Sequence, residues 1–168
     1  DQALLVVTLK HPTTTTTFID RFLASAEAYN IPATLVFNKI DTYTPEEMEH
    51  VNELFGTYAE IGYPCIGTSA RTGQGLDQLM AAMTGKVNVV AGHSGVGKST
   101  LINTIDPRLN LKTGEISEMH KQGKHTTTFA EMFDLSFGGH IIDTPGIRGF
   151  GLIDMQKDEI SHYFREIF

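Results

Sequence analysis

Cysteine and long apolar runs are scarce in this chain of 168 residues. Cys65 is the only cysteine, which excludes an internal disulfide and a multi-cysteine metal site within these residues. It lies in a short apolar run, which predicts a small buried side chain and not a nucleophile. No apolar run approaches the roughly 18 to 20 residues that a membrane-spanning helix needs, and no signal-peptide pattern is present. A cytoplasmic location is therefore expected.

Positive charge is also in short supply. Thirteen Lys and Arg against twenty Asp and Glu give a formal net charge of -7. Binding nucleic acid over a general surface needs a basic face that neutralises phosphates, so this balance argues against such a role and allows only a local basic patch. There is no internal repeat and no Pro- or Ser-rich linker, and the length suits one domain with a sizeable core.

Short apolar runs alternate with helical patterns along the chain. Strands are predicted at residues 3–9, 33–37, 63–67, 86–91, 129–137 and 140–143, and helices at 18–29, 45–60, 76–83 and 100–105. Such alternation predicts an α/β fold, a three-layer α/β/α sandwich with a mostly parallel sheet. The pair Gly138-Gly139 predicts a tight hairpin turn, which would make one edge of the sheet antiparallel.

A glycine-rich loop between a predicted strand and a predicted helix carries the strongest chemical signal. Its residues, with the first helical threonine, are Gly92, His93, Ser94, Gly95, Val96, Gly97, Lys98, Ser99 and Thr100. Successive backbone N–H groups and a helix N-terminus form a concave anion site, which predicts a phosphate-binding loop. Lys98 should reach the β- and γ-phosphates, Ser99 should bind Mg²⁺, and His93 should face solvent or the phosphates. The loop alone does not distinguish ATP from GTP.

Two other polar loops follow predicted strands: Asn38-Lys39-Ile40-Asp41 and Thr68-Ser69-Ala70. The carboxylate of Asp41 can accept hydrogen bonds from the ring N–H and exocyclic amine of guanine, a pair of donors that adenine lacks. The Lys39 stem can lie along the base, Asn38 can brace the loop, and the Ala70 N–H can bond the guanine oxygen. These loops therefore predict a guanine-binding site at the carboxyl end of the sheet.

A third motif, Asp143-Thr144-Pro145-Gly146, follows the last predicted strand. There Asp143 would hold Mg²⁺ through water, and the Gly146 N–H would bond the γ-phosphate. Together the motifs describe a GTPase, but their order is rotated. In an ordinary small GTPase the phosphate loop comes first and the base loop follows the sensor, whereas here the base loop opens the chain.

In this order the motifs resemble the GTPase domain of the ribosome small-subunit-dependent GTPase A family, which are circularly permuted GTPases of bacterial small-subunit assembly. The match also includes the segments Gly123-Lys124-His125-Thr126-Thr127-Thr128 and Ile147-Arg148. Other permuted GTPases typically carry Pro-Asn where this loop has His93-Ser94-Gly95, which favours the bacterial family. The resemblance implies a P-loop NTPase fold in circularly permuted order, GTP hydrolysis with GTP/GDP and Mg²⁺, and the small ribosomal subunit (30S) and its rRNA as partners.

The catalytic residues follow partly from the same resemblance. The polar segment 106–124 has the composition of a mobile switch, and the position of Thr127 in the family's motif favours it as the Mg²⁺ ligand over its neighbouring threonines. Ile147 lies where a Ras-like template has the glutamine that orients water. His125 is the best candidate to take over that task, although an ordinary loop histidine is an equal alternative.

The resemblance also divides the chain. It implies a permuted GTPase domain at residues 1–152 and a C-terminal helix at 153–168 that leads to a domain absent here. An oligonucleotide-binding barrel would precede the GTPase domain and a zinc-binding domain would follow it, so zinc and most rRNA contact would belong to those parts; a monomer is expected. Two alternatives stay open: a nucleotide-gated binding module with negligible hydrolysis, which Ile147 suggests, and a P-loop kinase or ATPase.

Overall fold

A computed structural model describes residues 1–111, 131–143 and 163–165. The strands are β1 (Gln2–Val7), β2 (Ala33–Phe37), β3 (Cys65–Gly67), β4 (Val87–Ala91), β5 (Glu131–Asp134) and β6 (His140–Asp143). The helices are α1 (Thr16–Ala28), α2 (Pro45–Ile61), α3 (Leu76–Met83) and α4 (Lys98–Ile105). Every predicted element within the described residues is present, with ends that differ by a few positions.

The strands form one sheet in the order β3-β2-β1-β4-β6-β5. All neighbours pair in parallel except β5 and β6, so the predicted mostly parallel sheet with one antiparallel edge hairpin is confirmed. The hairpin turn is wider than the predicted glycine pair, because Asp134 pairs with His140 and leaves residues 135–139 as the loop. Both glycines of this loop have positive φ, at 92° and 94°.

The central strand β1 is buried on both faces and separates two hydrophobic cores. Leu5 and Val7 belong to the core beneath α1 and α2, whereas Leu4 and Val6 belong to the core beneath α3 and α4. Successive side chains of a strand point to opposite faces, so a continuous apolar run fits a sheet covered on both sides. The predicted three-layer sandwich is therefore confirmed.

Helix α2 begins as its sequence predicts. The Thr44 hydroxyl accepts a hydrogen bond from the Glu47 N–H, and the Glu47 carboxylate accepts one from the Thr44 N–H, which completes a capping box with Pro45 in the first turn. The helix ends at Gly62, which adopts φ 104°. Local sequence thus sets both ends of this helix.

The first strand ends two residues before the predicted boundary. The Thr14 N–H donates to the Thr8 carbonyl, and the Thr8 hydroxyl donates to the Pro12 carbonyl, so the chain turns back on itself after Val7. Cys65 is half-buried and not fully buried as predicted, and its burial raises the pKa of the thiol to about 11. Among the described helices, none is long and apolar enough to span a membrane.

Most of the predicted helix at 153–168 lies outside the described residues. Within residues 163–165, Tyr163 and Phe164 lie beside side chains of α1 and α2. Arg165 forms an ion pair with Glu27 at 2.7 Å and places its guanidinium 4.5 Å from the Tyr63 ring centroid. The described part of this segment therefore packs on the α1–α2 face of this domain.

Candidate functional site

The loops after four parallel strands meet at one edge of the sheet. They are residues 8–15 after β1, 38–44 after β2, 68–75 after β3 and 92–97 after β4. The last residue of β6, Asp143, reaches the same edge, because β6 is parallel to β4. In open α/β sheets ligands bind at the carboxyl ends of the strands, so the topology brings the predicted motifs together.

The loop between β4 and α4 has the conformation that its glycines predict. Gly92, Gly95 and Gly97 adopt φ values of 141°, 86° and 95°. A Cβ atom added at Gly97 would lie 2.6 Å from the Asn38 Nδ2 atom, so a larger residue would collide there. Helix α4 begins at Lys98, and the backbone N–H groups of its first turn therefore face this loop.

Lys98 and the residues after it occupy the start of α4. The Lys98 ammonium donates to the Gly92 and His93 carbonyls at 2.6 and 2.8 Å, which holds it inside the loop. Ser99 is 9% exposed, and within the described residues its hydroxyl has no hydrogen-bond partner. Thr100 is exposed in the first turn of the helix.

Asn38 joins three loops through one buried amide. Its side chain is buried at 2% exposure, its Nδ2 atom donates to the Val96 carbonyl at 2.9 Å, and its Oδ1 atom accepts from the Thr68 hydroxyl at 3.1 Å. The Tyr43 hydroxyl donates to the Asn38 carbonyl at 2.9 Å and accepts from the Leu9 N–H at 2.8 Å. The predicted base loop is thereby fixed against the phosphate loop and the β3 loop.

Lys39 makes a second link between the same loops. It adopts the left-handed conformation at φ 63°, and its ammonium donates to the Gly95 carbonyl at 2.7 Å and the His11 carbonyl at 2.6 Å. The side chain therefore crosses from the β2 loop over the phosphate loop to the β1 loop.

Both carboxylate oxygens of Asp41 are occupied. Oδ1 accepts from the Ser69 hydroxyl at 2.5 Å, and Oδ2 accepts from Arg71 Nε at 2.6 Å. The Ser69 hydrogen bond, followed by the hydrogen bond and charge of Arg71, outweighs the cost of burial and lowers the pKa of Asp41. Asp41 is therefore ionised at neutral pH.

The β3 loop is braced by its own backbone as well. The Ile40 N–H donates to the Thr68 carbonyl at 3.2 Å, and the Ser69 hydroxyl accepts from the Thr72 N–H at 3.1 Å. Both Thr68 and Ser69 are fully buried, while Ala70 is half-buried beside them. Ser69 is consequently a fixed partner of Asp41.

His93 has an apolar neighbour that its position in the sequence did not indicate. Its ring lies 3.9 Å from the Phe18 ring, centroid to centroid, with 32° between the planes. Burial, followed by the nearby charge of Lys98, lowers the pKa of His93 and favours the neutral imidazole.

Sequence reasoning missed three residues of this site: Phe18, Tyr43 and Arg71. Arg71 and Tyr43 lie within two residues of predicted motifs, so adjacency was an available signal, whereas nothing local connects Phe18 with His93. Other predicted site residues lie outside the described residues, namely His125, Thr127, Gly146 and the side chain of Asp143.

Comparison with known proteins identifies the family. The model of the RsgA GTPase family matches residues 1–153. The chain belongs to the RsgA GTPase family. It is 58% identical over its full length to the small ribosomal subunit biogenesis GTPase RsgA of Christiangramia forsetii, of which it covers 53%, and 56% identical to that of Bacteroides fragilis, of which it covers 54%. The chain thus spans about half the length of these relatives.

Two solved structures of similar proteins share the fold. YjeQ from Thermotoga maritima superimposes with a TM-score of 0.84 at 40% identity, over 99% of this chain and 55% of that one. YloQ, described as a circularly permuted GTPase, superimposes with a TM-score of 0.75 at 28% identity, over 99% of this chain and 52% of that one. The predicted P-loop NTPase fold in circularly permuted order is therefore confirmed for this RsgA-family chain, and its family implies a guanine-nucleotide site.

Proposed function

We propose that this chain is a GTP-hydrolysing domain that converts GTP to GDP and phosphate and acts as a switch in maturation of the small ribosomal subunit. One observation carries the proposal: Asn38 and Lys39 bond the carbonyls of Val96 and Gly95, at 2.9 and 2.7 Å. These bonds join a guanine-type loop to a phosphate-type loop at the carboxyl edge of the sheet, which is the arrangement that one nucleotide spanning both loops requires.

Asp41 is proposed to select guanine. Its ionised carboxylate can accept the two donors of the guanine edge, a pair that adenine lacks, so adenine would forgo hydrogen bonds worth of order 1–3 kcal/mol. The Ala70 N–H lies in the adjoining loop, which Ile40 and Ser69 tie to the Asp41 loop. The Asp41 carboxylate would make no corresponding pair of hydrogen bonds to adenine, so this loop favours a GTPase over a P-loop kinase or ATPase that uses ATP.

The phosphate end of the site fits Mg²⁺ as well as phosphate. The Ser99 hydroxyl is buried and unpartnered among the described residues at the N-terminus of α4, and a hydroxyl oxygen is a ligand that Mg²⁺ accepts. Asp143 ends β6 at the same edge. We therefore assign Ser99, Asp143 and Thr127 to Mg²⁺, and Lys98 and the Gly146 N–H to the phosphates. Bound Mg²⁺ would neutralise charge on the β- and γ-phosphates.

Hydrolysis needs a group that orients water, and Ile147 has no polar atom for that task. We assign this role to His125, whose imidazole can hydrogen-bond water near neutral pH. Contact with a large partner that positions His125 and Thr127 at the phosphates would then accelerate a slow intrinsic reaction.

The partner follows from the relatives, which are named for small ribosomal subunit biogenesis. We propose that this chain, as residues 1–152 with a C-terminal segment at 153–168, acts in the cytoplasm as a monomer beside the 30S subunit. Its net charge of -7 argues against broad rRNA contact through this domain, so we propose that rRNA contact lies mainly outside residues 1–168.

Phosphate release from GTP, measured with and without small ribosomal subunits, tests this function. We expect slow release alone, faster release with subunits, and little of either in Lys98→Ala. Lys86→Ala is the matched control, since Lys86 contacts Gln2 at the opposite edge of the sheet. His125→Ala should impair hydrolysis more than binding. Equal competition by ATP would contradict the role of Asp41, and GTP binding without phosphate release in any condition would favour a nucleotide-gated binding module.

A further inference from the structure

Arg71 covers the carboxylate on which guanine recognition depends. The Arg71 side chain is 76% exposed, yet its Nε atom lies 2.6 Å from Asp41 Oδ2, and the Asp41 side chain beneath it is only 8% exposed. The exposed Arg71 side chain therefore covers the solvent-facing side of Asp41. If Asp41 binds guanine, Arg71 occupies the side from which the base must approach.

We propose that Arg71 is a counter-ion gate over Asp41, which pairs with the carboxylate when no base is bound and swings away when guanine enters. This proposal rests on the assignment of Asp41 to guanine. Guanine would offer Asp41 the same kind of contact that Arg71 offers, an N–H donor, so base and guanidinium compete for the solvent-facing side of one carboxylate.

The two partners of Asp41 differ in their ability to leave. Ser69 is fully buried, and its hydroxyl also accepts from the Thr72 N–H at 3.1 Å, so its bond to Oδ1 is held from two sides. Arg71 contacts Asp41 through a long exposed side chain, whose ordering costs entropy and whose ion pair is screened by salt. The base can therefore displace Arg71 but not Ser69.

Among the described residues, no other cationic side chain contacts the Asp41 carboxylate. Lys39, the nearest in sequence, donates to the carbonyls of His11 and Gly95 and is held over the phosphate loop. Once Arg71 moves away, the Ser69 hydroxyl stays on Asp41 Oδ1, and guanine donors then take the side of the carboxylate that Arg71 has left. Pairing in the free domain keeps a nearly buried charge compensated until that exchange.

The gate predicts a kinetic signature. If only domains in which Arg71 has left Asp41 accept the base, the apparent affinity equals the intrinsic affinity multiplied by the fraction of such domains. The reduction appears in the association rate constant. Removing Arg71 should raise the association rate constant of guanine nucleotides about two- to fivefold, the range expected for a largely exposed ion pair. The dissociation rate constant should change little, because Arg71 has left Asp41 in the bound state.

Stopped-flow binding of GDP with a fluorescent label on the ribose measures both rate constants. Arg71→Gln should associate faster than wild type, and Arg71→Lys, which keeps the charge, should lie between them. Arg21→Gln on the exposed side of α1 removes the same charge elsewhere and should match wild type. The advantage of Arg71→Gln should shrink at high salt, because screening weakens the ion pair in wild type; a purely structural role for Arg71 would not produce this dependence.

Two results overturn the gate. Association of Arg71→Gln at the wild-type rate would show no competition, and faster dissociation would make Arg71 a support of the bound base. Asp41→Asn distinguishes failure of the Arg71 gate from failure of the proposed function. If it loses labelled GDP while Arg71→Gln associates normally, only the gate fails; if it binds as wild type does, the proposed function fails and the gate with it.

Discussion

The substitution Asn38→Ala tests whether one buried amide holds the site together. It removes the bond to the Val96 carbonyl and the bond from the Thr68 hydroxyl, which measure 2.9 and 3.1 Å. A buried group left without its partner costs about 1–3 kcal/mol. The Thr68 hydroxyl can turn to the Phe37 carbonyl at 3.5 Å, so its share is smaller. We expect a total loss of about 2–3 kcal/mol.

Thermal unfolding and nucleotide binding together measure this effect. For a domain of this size the loss corresponds to a fall in Tm of roughly 4–12 °C. Because the base loop is then tied to the phosphate loop by the Lys39–Gly95 bond without the buried Asn38 amide, affinity for labelled GDP should fall roughly tenfold, or about 1.4 kcal/mol.

A second asparagine provides the matched control. Asn103 also makes two amide hydrogen bonds, both to the Leu111 backbone at 2.6 and 2.7 Å, but away from the loops at the sheet edge. Asn103→Ala should lower stability and leave affinity for GDP unchanged. The reasoning is refuted if Asn38→Ala keeps the wild-type Tm, or if both variants lose affinity equally.

Three further predictions concern stability and reactivity. Hydrogen bonds from Arg108 and the Ser136 N–H hold the pKa of buried Asp106 at about 2. The ionised carboxylate should therefore stabilise the domain by about 1–2 kcal/mol above pH 4, and this stabilisation should be lost as the pH falls toward 2. Asp106→Asn should flatten the pH dependence of Tm. Gly139→Ala should lower the free energy of unfolding in denaturant titration by about 1–3 kcal/mol more than Gly138→Ala does. A Cβ atom at Gly139 would lie within 3.0 Å of backbone atoms, whereas at Gly138 the nearest atom would lie at 3.9 Å. Equal losses would disprove the close packing. The Cys65 thiol, with its pKa at about 11, should react with a disulfide reagent at pH 8 far more slowly than free cysteine, and a comparable rate would contradict its burial.

Much of the fold could be predicted because its signals are local. The apolar runs of β1 and β2 and the capping box at Thr44 depend on residues within a few positions of each other, and they gave the element types correctly. Boundaries were less accurate where the hydrogen bonds of a turn, which the apolar pattern does not encode, end a strand. The turn after Val7 is set by hydrogen bonds of Thr8 to Pro12 and Thr14, and the hairpin at residues 135–139 by the pairing of Asp134 with His140.

The guanine-nucleotide site that the family implies was also predicted from the sequence, for a physical reason. Phosphate needs glycines with positive φ before a helix, and guanine needs a carboxylate in a loop after a strand, so residue types at short spacing express these requirements. The order of the motifs identified a permuted GTPase. Only the tertiary structure decided which loops touch, because Asn38 and Val96 lie 58 positions apart and meet through the parallel pairing of β1 with β2 and β4. The parallel pairing of β2 with β3 brings Ser69 and Arg71 onto Asp41, and these two contacts hold the Asp41 carboxylate at the edge of the sheet.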